Sequence, residues 1–595
     1  MKFTSIFSFS VVAIILLHEE IVVGSSDPAL GSEDIFVRGA PLVGGTNGIF
    51  FDAENNIIAA QVYGRAISKV DPETGEILET LGFNDSVAFP DDVRTTSDGT
   101  FLYWTDSFYF QTIMKRGPDN ISEPLLPSGS VPNANPVTLS SDETRLFYAQ
   151  CWDPEPVNGL YEYNLVTNVT TTILQDVPGC ASNAMFYWDE ALYTPRPYEG
   201  RIVKIDLNNN SDNYSISNVT TGWGGAPQAL KFDSQGNLYA TNAGLGEVAL
   251  IDYNSSDTEN NREIVARFPP GWIDNLAFDQ DDRLYVSSTS DGQIVEVLEN
   301  GDLRTVVGGD FSITIGVAYL NNTIFTVHPG ALFGFDSTTG ERTMEVRSIP
   351  GGVGNFHEPT GVTTWGDDLL LMSLVSGALE RYNPDTETLQ WTAYFNGPID
   401  ALPFQGDVLV TEAQTGNVVR ASGTDWSERE IIYTSLGVGF LAGNDNDVYL
   451  THIVNQTIYQ IIADGEVLMR PTVVATGFGV PEGILLMPDG ETILLVDTGK
   501  EALVEVGVFT GEVTILATDL EFFPGIPGLD FGFGNDVAID DNGAIYVNGD
   551  RANVIYKFEG SSADNGTSSS CATVSTKSHV LLGFLVVSSM LFFPG

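Results

Sequence analysis

Three stretches of this chain repeat one pattern. Trp272–Gly301 reads WIDNLAFDQDDRLYVSSTSDGQIVEVLENG, and Ala226–Tyr253 and Gly534–Glu559 repeat its order of apolar runs and turns. In the first, Asn275–Phe278 ends at the turn Asp279-Gln280-Asp281-Asp282. Leu284–Ser287 then alternates to the turn Ser290-Asp291-Gly292, and Ile294–Leu298 alternates again. Apolar residues at period 2 between Gly and Asp turns specify β-strands. A unit of three or four short strands cannot bury both of its faces alone, so it must stack on copies of itself.

Aligned on the first residue of the innermost strand, twelve copies follow one another. The first six begin at Asn47, Asp91, Asn135, Asn183, Gln228 and Asp274, spaced by 44, 44, 48, 45 and 46 residues. The next six begin at Ile315, Thr360, Asp400, Val438, Glu482 and Asn535. A step of about 44 residues is the length of a four-stranded propeller blade. A ring of twelve would leave a wide unfilled channel, whereas propellers hold about four to eight blades. The expected fold is therefore all-β: two tandem six-bladed β-propellers, the first over residues 35–307 and the second over 308–560. The last copy has only three strands before Glu559, so its fourth must come from elsewhere in the chain, because an open sheet edge is a liability. Ile35–Arg38 and Leu303–Val307 are the two spare strand-like segments, and the pattern does not say which ring each one closes.

The ends read as processing signals. Lys2, the apolar run Val11–Leu17 and the small residues near Gly24–Ser26 read as a signal peptide over residues 1–25. Residues 561–579 form a small polar spacer with candidate anchor sites at Asn565 and Ser568–Ser570, and residues 580–595 form an apolar tail. That order is the signal for a glycosylphosphatidylinositol anchor, and the tail is short for a span of ~20 apolar residues. Ten Asn-x-Ser/Thr sequons, at Asn84, Asn120, Asn168, Asn209, Asn213, Asn218, Asn254, Asn321, Asn455 and Asn565, fit a secreted glycoprotein. Of three cysteines, Cys571 lies in the anchor signal, which leaves Cys151 and Cys180 to pair as a disulfide on the top face of adjacent blades. The net charge of −53 excludes nucleic acid and anionic membrane surfaces as partners and favours cations. Membrane attachment is expected through the lipid anchor alone. No Walker loop, G-x-S-x-G elbow, H-E-x-x-H or C-x-x-C is present.

The six starts of the first propeller are all carboxylates or amides, and propeller geometry makes them converge at the top of the channel. Oxygen donors mixing carboxylates and amide carbonyls suit Ca²⁺ better than Zn²⁺. The alternative is a polar channel whose groups satisfy one another.

Four runs carry a family likeness: Phe89-Pro90-Asp91-Asp92-Val93, the segment from Asn135 through Glu143, Lys231 through Tyr239, and Ile273-Asp274-Asn275-Leu276. Together they resemble the senescence-marker-protein/gluconolactonase (regucalcin-like) six-bladed propellers and their paraoxonase and strictosidine-synthase-like relatives, over roughly residues 45–305. The resemblance implies a channel-bound divalent ion, usually calcium, and hydrolysis of lactones, esters or phosphoesters, although some relatives are not hydrolases. Carried over by position, Asn135, Asn183 and Asp274 match the family's ligand positions best, followed by Asp91 and Asn275, with Asn47 where the family often has Glu. Asp91 or Asp274 is then the expected base that activates water against a carbonyl polarised by calcium. Paraoxonase-like relatives use a His pair, and the first propeller contains no His.

Tyr63, Phe108, Tyr109, Phe110, Trp152 and Tyr198 fall in top-face loops as pocket walls or as ordinary packing. In the second propeller Asp400, Glu482 and Asn535 form a thinner ring, and His328, His357 and His452 map to its top face. The reading that follows is a calcium-dependent lactonase or esterase on the cell surface. Its alternative is a calcium-stabilised propeller that binds glycans or proteins there without turnover. Substrate and oligomeric state are not legible.

Overall fold

The computed structural model of the protein describes residues 35–39, 44–150, 159–175, 184–207, 214–349, 353–354, 356–423, 425–523 and 534–559. These residues all belong to one compact unit. Both terminal signals, Cys151, Cys180, Trp152, Asn183 and the sequons at Asn209, Asn213 and Asn565 lie outside them. The remaining seven sequon asparagines are all exposed.

The described chain forms twelve antiparallel sheets in sequence order. Blades 1 to 6 span residues 46–81, 90–124, 134–175, 186–220, 227–267 and 276–307. Blades 7 to 11 span 315–349, 361–394, 398–434, 438–476 and 481–517, and blade 12 takes 537–558. Blade 7 carries a short extra strand, Val353–Gly354, paired to Ser348–Ile349.

The core shows how the blades are joined. Ile58, Ala60 and Ile67 of blade 1 share one buried cluster with Val93, Trp104 and Met114 of blade 2. Blades 2 and 3 share the next cluster, and the series continues around each ring. Blade 6 returns to blade 1, with Tyr285 and Ile294 packed on Ile49 and Ile57. Blade 12 returns to blade 7 in the same way, with Tyr546 and Ile555 against Phe333 and Phe335. Two rings of six are the result.

Ile35–Arg38 was expected within the first propeller, and the structure places it in the second. It pairs antiparallel with Val554–Tyr556 as the missing fourth strand of blade 12. Leu303–Val307 is the fourth strand of blade 6. The first ring therefore begins at Thr46, and residues 308–314 lead from its last strand into the second ring.

The turn motif has a local cause. At the end of the innermost strand, the Asp233 carboxylate accepts the N–H groups of Gln235 (3.0 Å) and Asn237 (2.8 Å). Asp279 does the same for Asp281 and Arg283, and Asp540 for Asn542 and Ala544. An aspartate that closes its own turn explains the recurring Asp-x-x-x-x-apolar spelling.

The other end of the innermost strand carries a register shift in most blades, for example between Pro90 and Val93 and between Pro227 and Leu230. This bulge lifts one N–H out of the ladder. A hydroxyl on the second strand takes it up and ties the blade to its neighbour. Thr105 Oγ1 accepts the Asp92 N–H (2.9 Å) and donates to Asn135 O of blade 3 (2.8 Å). Thr241 links Ala229 to Asp274 O in the same way. Ser287 Oγ accepts the Asn275 N–H (3.2 Å) and donates to Asn47 O (2.7 Å), joining the last blade of the ring to the first. Asn548 performs this closure in the second ring, between Asp536 N and Thr314 O.

The second channel is built differently. Its top is filled by apolar groups: a Cβ on Gly534 would lie 3.3 Å from Ile315 and 3.8 Å from Phe440. Asp400 and Asp536 sit one residue deeper than the ring position assigned to Asp400 from sequence. Each accepts the following N–H (2.8 Å to Ala401, 2.8 Å to Val537), as Asp92 does in the first ring. Burial pushes the Asp400 carboxyl up to about 6. Burial and the Asp400 charge raise Asp536 well above the carboxylate range.

Two outcomes follow from this architecture. Ser287→Ala leaves two backbone groups unmet at the ring closure and lowers unfolding free energy by about 1–3 kcal/mol in denaturant titration. A raised carboxyl means that the folded state holds a proton which the unfolded state has released, so this pair costs stability increasingly as pH rises above the ordinary carboxylate range, and the cost fades as pH falls back to it. Asp536→Asn therefore raises the melting temperature at pH 7.5, and the gain shrinks towards pH 4.5.

Candidate functional site

The bulged strand starts bring the predicted ring together at the top of the first channel. Asp91, Gln228 and Asp274 are buried there, with Asn47 and Asn135 half-buried beside them. Asp274 accepts a hydrogen bond from Thr289 Oγ1, and Asp91 accepts one from Ser107 Oγ at 3.4 Å. Burial first, and then the Asp274 charge, raise Asp91 well above the carboxylate range. Asp274 is pushed up to about 6, chiefly by burial, against the Thr289 hydrogen bond. Two buried acids, ringed by amides, have the donor chemistry of a hard divalent cation. Among the described residues no three His, Cys, Asp or Glu side chains form a metal cluster, so any ion here would depend on the amides.

Asn275 departs from the expected ligand set. It occupies the second strand position, and its Oδ1 accepts the Leu276 N–H at 2.9 Å. This is the same use that Asp92 makes of Val93 N, and it leaves Asn275 as part of the strand framework.

The sequence reading missed the contact between the rings. Top-face residues of blades 1 and 6 contact the second propeller. Tyr63, from the blade 1 loop, packs against Val62 and Phe89 of its own ring and against the Ile313–Ile315–Phe356 core of the other. Its ring meets His328 of blade 7 edge-on, with centroids 5.1 Å apart. Gly45 permits this fit, because a Cβ there would lie 2.6 Å from the Tyr63 ring. Arg65, at φ 51°, lies 4.3 Å from the Phe523 ring centroid of the second propeller and faces the Asp550 and Glu482 charges. Arg347 of blade 7 reaches back to Asp291 (2.7 Å) and to Ser290 Oγ of blade 6.

Tyr63 therefore stands between the acids of one ring and an acid of the other. Burial, then Glu358, Asp91 and Asp274, raise its phenol, which keeps it a donor at neutral pH. His328 is buried, and its Nδ1 accepts the Gly330 N–H at 2.9 Å. Burial and Arg347 hold the imidazole down at about 3, so it is neutral. With Nδ1 accepting, Nε2 carries the proton, and it has no hydrogen-bond partner among the described residues. A histidine of the second propeller thus contacts Tyr63 of the first. The three histidines of the second propeller do not assemble into one centre. His357 pairs with Glu380 (2.6 Å), and His452 contacts Ser435 (2.8 Å).

Of the other expected residues, Phe108 packs on Phe89 and Tyr109 on Phe110, which is loop packing beside the site. In the second ring Glu482 accepts from Asn535 N and Nδ2 and from Thr498, so these residues satisfy one another.

No family model matches the chain, and no curated protein matches it in sequence. Solved structures do. The extracellular domain of a provisionally assigned one-component system of B. thetaiotaomicron is 11% identical with a TM-score of 0.29, over 89% of this chain and 78% of that one. A chain provisionally described as a gluconolactonase is 14% identical with a TM-score of 0.36, over 47% of this chain and 96% of its own. At these values the likenesses carry nothing about activity.

Proposed function

We propose that this chain is a cell-surface hydrolase of lactones or esters whose site lies at the top of the first propeller. The pairing of Asp91 with Asp274 beneath Tyr63 carries the reading. A buried cluster of polar groups suits a small substrate better than a flat protein partner.

Asp91, Asp274, Asn47 and Asn135 would hold calcium, with Asn183 as a further candidate outside the described residues. Calcium bound there supplies positive charge where a carbonyl oxygen becomes negative. Asp274 is the base: its carboxylate, ionised above about pH 6, takes a proton from the attacking water. Tyr63 holds its phenolic proton and offers it as a hydrogen bond, and Thr289 orients Asp274. Exposure of all seven described sequon asparagines supports passage through the secretory route, and the terminal signals make lipid anchorage part of the proposal.

Bound calcium, and lactone and ester hydrolysis before and after chelation, test this reading. Wild type carries calcium and loses turnover on chelation, and refilling restores it. Asp274→Ala loses bound calcium and at least about 10²-fold in rate. Calcium without turnover on either substrate class moves the protein to the binding reading, and unchanged calcium in Asp274→Ala removes the ring as its site. Phosphatidylinositol-specific phospholipase releases the protein from intact cells, whereas retention on the cells contradicts the anchor.

A further inference from the structure

The lower mouth of the first channel holds a second arrangement of side chains. Three positions below the ring, about 10 Å further along strands that rise ~3.3 Å per residue, stand Phe50, Arg94, Thr138, Phe186 and Lys231 of blades 1 to 5. Arg94 and Lys231 are both 2% exposed. Arg94 is already engaged, with Nη1 on Asp92 (3.1 Å) and on Val93 O (2.6 Å).

A cavity of about 280 Å³ opens at this layer. Its walls come from blades 1 to 4 and from Gln280 in the turn at the foot of blade 6, and Lys231 is not among them. Phe50 and Phe186, both half-buried, supply the aromatic wall. Hydroxyls of blades 2 and 3 line the rest. Thr138 and Ser140 are 2% exposed, whereas Ser97 and Ser141 stand exposed at the rim.

Two further groups on the lining keep an oxygen available. Glu143 accepts the Ser97 N–H on one carboxylate oxygen (2.5 Å), and the other has no hydrogen bond among the described residues. Its backbone lies at φ 56°, a region that favours glycine, so a carboxylate is held here against local preference. Gln280 donates its side-chain N–H to Ala53 O (3.1 Å), and its side-chain carbonyl has no bond among the described residues.

Charge narrows what such a surface suits. Arg94 is the one cation on the lining and is matched by Asp92. An anion would therefore find no unmatched cation and would meet Glu143. A cation would compete for the aromatic wall with the Arg94 guanidinium, which lies 4.9 Å from the Phe50 ring centroid. A wholly apolar molecule would cover hydroxyls without bonding them.

We propose that this lower cavity binds one neutral sugar ring, its carbon face against Phe50 and Phe186 and its hydroxyls on Thr138, Glu143 and Gln280. Sugar hydroxyls both donate and accept, as threonine and serine hydroxyls do, and a carboxylate receives two of them in the stronger, charge-assisted form. The volume is at the low end for small-molecule sites, which suits a single ring. The site is independent of the hydrolase reading and lies at the other end of the channel from Asp91 and Asp274.

Saturation-transfer NMR and calorimetric titration of the full-length protein with glucose, galactose, mannose and xylose, each also as its methyl glycoside, test the proposal. Wild type binds at least one of the four. Thr138→Val keeps the side-chain shape without the hydroxyl and weakens that binding at least about threefold. Glu143→Gln keeps an oxygen for the Ser97 N–H and weakens it at least about tenfold. Asp274→Ala binds the sugar as wild type does. Melting temperatures establish that the variants are folded. Methyl glycosides that bind as well as the free sugars identify a glycan end as the ligand, and weaker binding of the glycosides identifies a free sugar. The uronate of the sugar that binds, alike in shape but anionic, binds at least about tenfold more weakly. No binding of any of the four at about 100 mM, equal affinity for the uronate, or a loss in Asp274→Ala that Thr138→Val and Glu143→Gln do not share overturns the proposal.

Discussion

A single serine hydroxyl joins the last blade of the first ring to the first. Ser287 Oγ accepts the Asn275 N–H and donates to Asn47 O, 240 residues away in sequence. Thr105 and Thr241 make the same link between consecutive blades. Each hydroxyl satisfies a donor that the ladder has lost and an acceptor that the neighbouring blade offers, at the point where the blades crowd together. The bulge turns the ring residues towards the channel, and the hydroxyls fix how far apart they stand. The polar centre at the top of the first channel is a by-product of how its blades are joined.

The two rings use this scaffold differently. The first retains polar groups at the strand starts and buried charges beneath them. The second fills its entrance with Ile315 and Phe440 and keeps its acids one step deeper. Its contribution to the first site is a surface, brought across by Tyr63, Arg65 and Arg347. Ile313, in the crossing at 308–314, belongs to the core that Tyr63 packs against. Ile35–Arg38 stitches the beginning of the chain into the last blade, so the second ring is completed by a segment that precedes the first. Such an arrangement resists separation of the rings without requiring a large apolar interface between them.

Much of this was legible in the residues. Period-2 apolar runs, the spacing of about 44 residues and the self-closing Asp turns are local, and each is written within a few positions. They carry the strands, the blades, the count of six and six, and the polar character of the first ring. Asp400 sits one position deeper than expected, and Asn275 serves the strand framework instead of the expected ligand set, because composition does not record how the strand turns locally. Two adjacent polar residues, such as Asp274-Asn275, do not say which one turns towards the channel.

The repeat dictated an all-β chain of stacked four-stranded blades, because alternation reports which face of a strand is buried. Folding in three dimensions settled which spare strand closes which ring. It also set His328 of blade 7 against Tyr63 of blade 1. Those outcomes join residues hundreds of positions apart through contacts that ordinary side chains can make, and no short pattern encodes them. The lower charge layer shows the same limit. Arg94 and Lys231 read as unremarkable strand residues until the ring closes and buries both against a single aspartate.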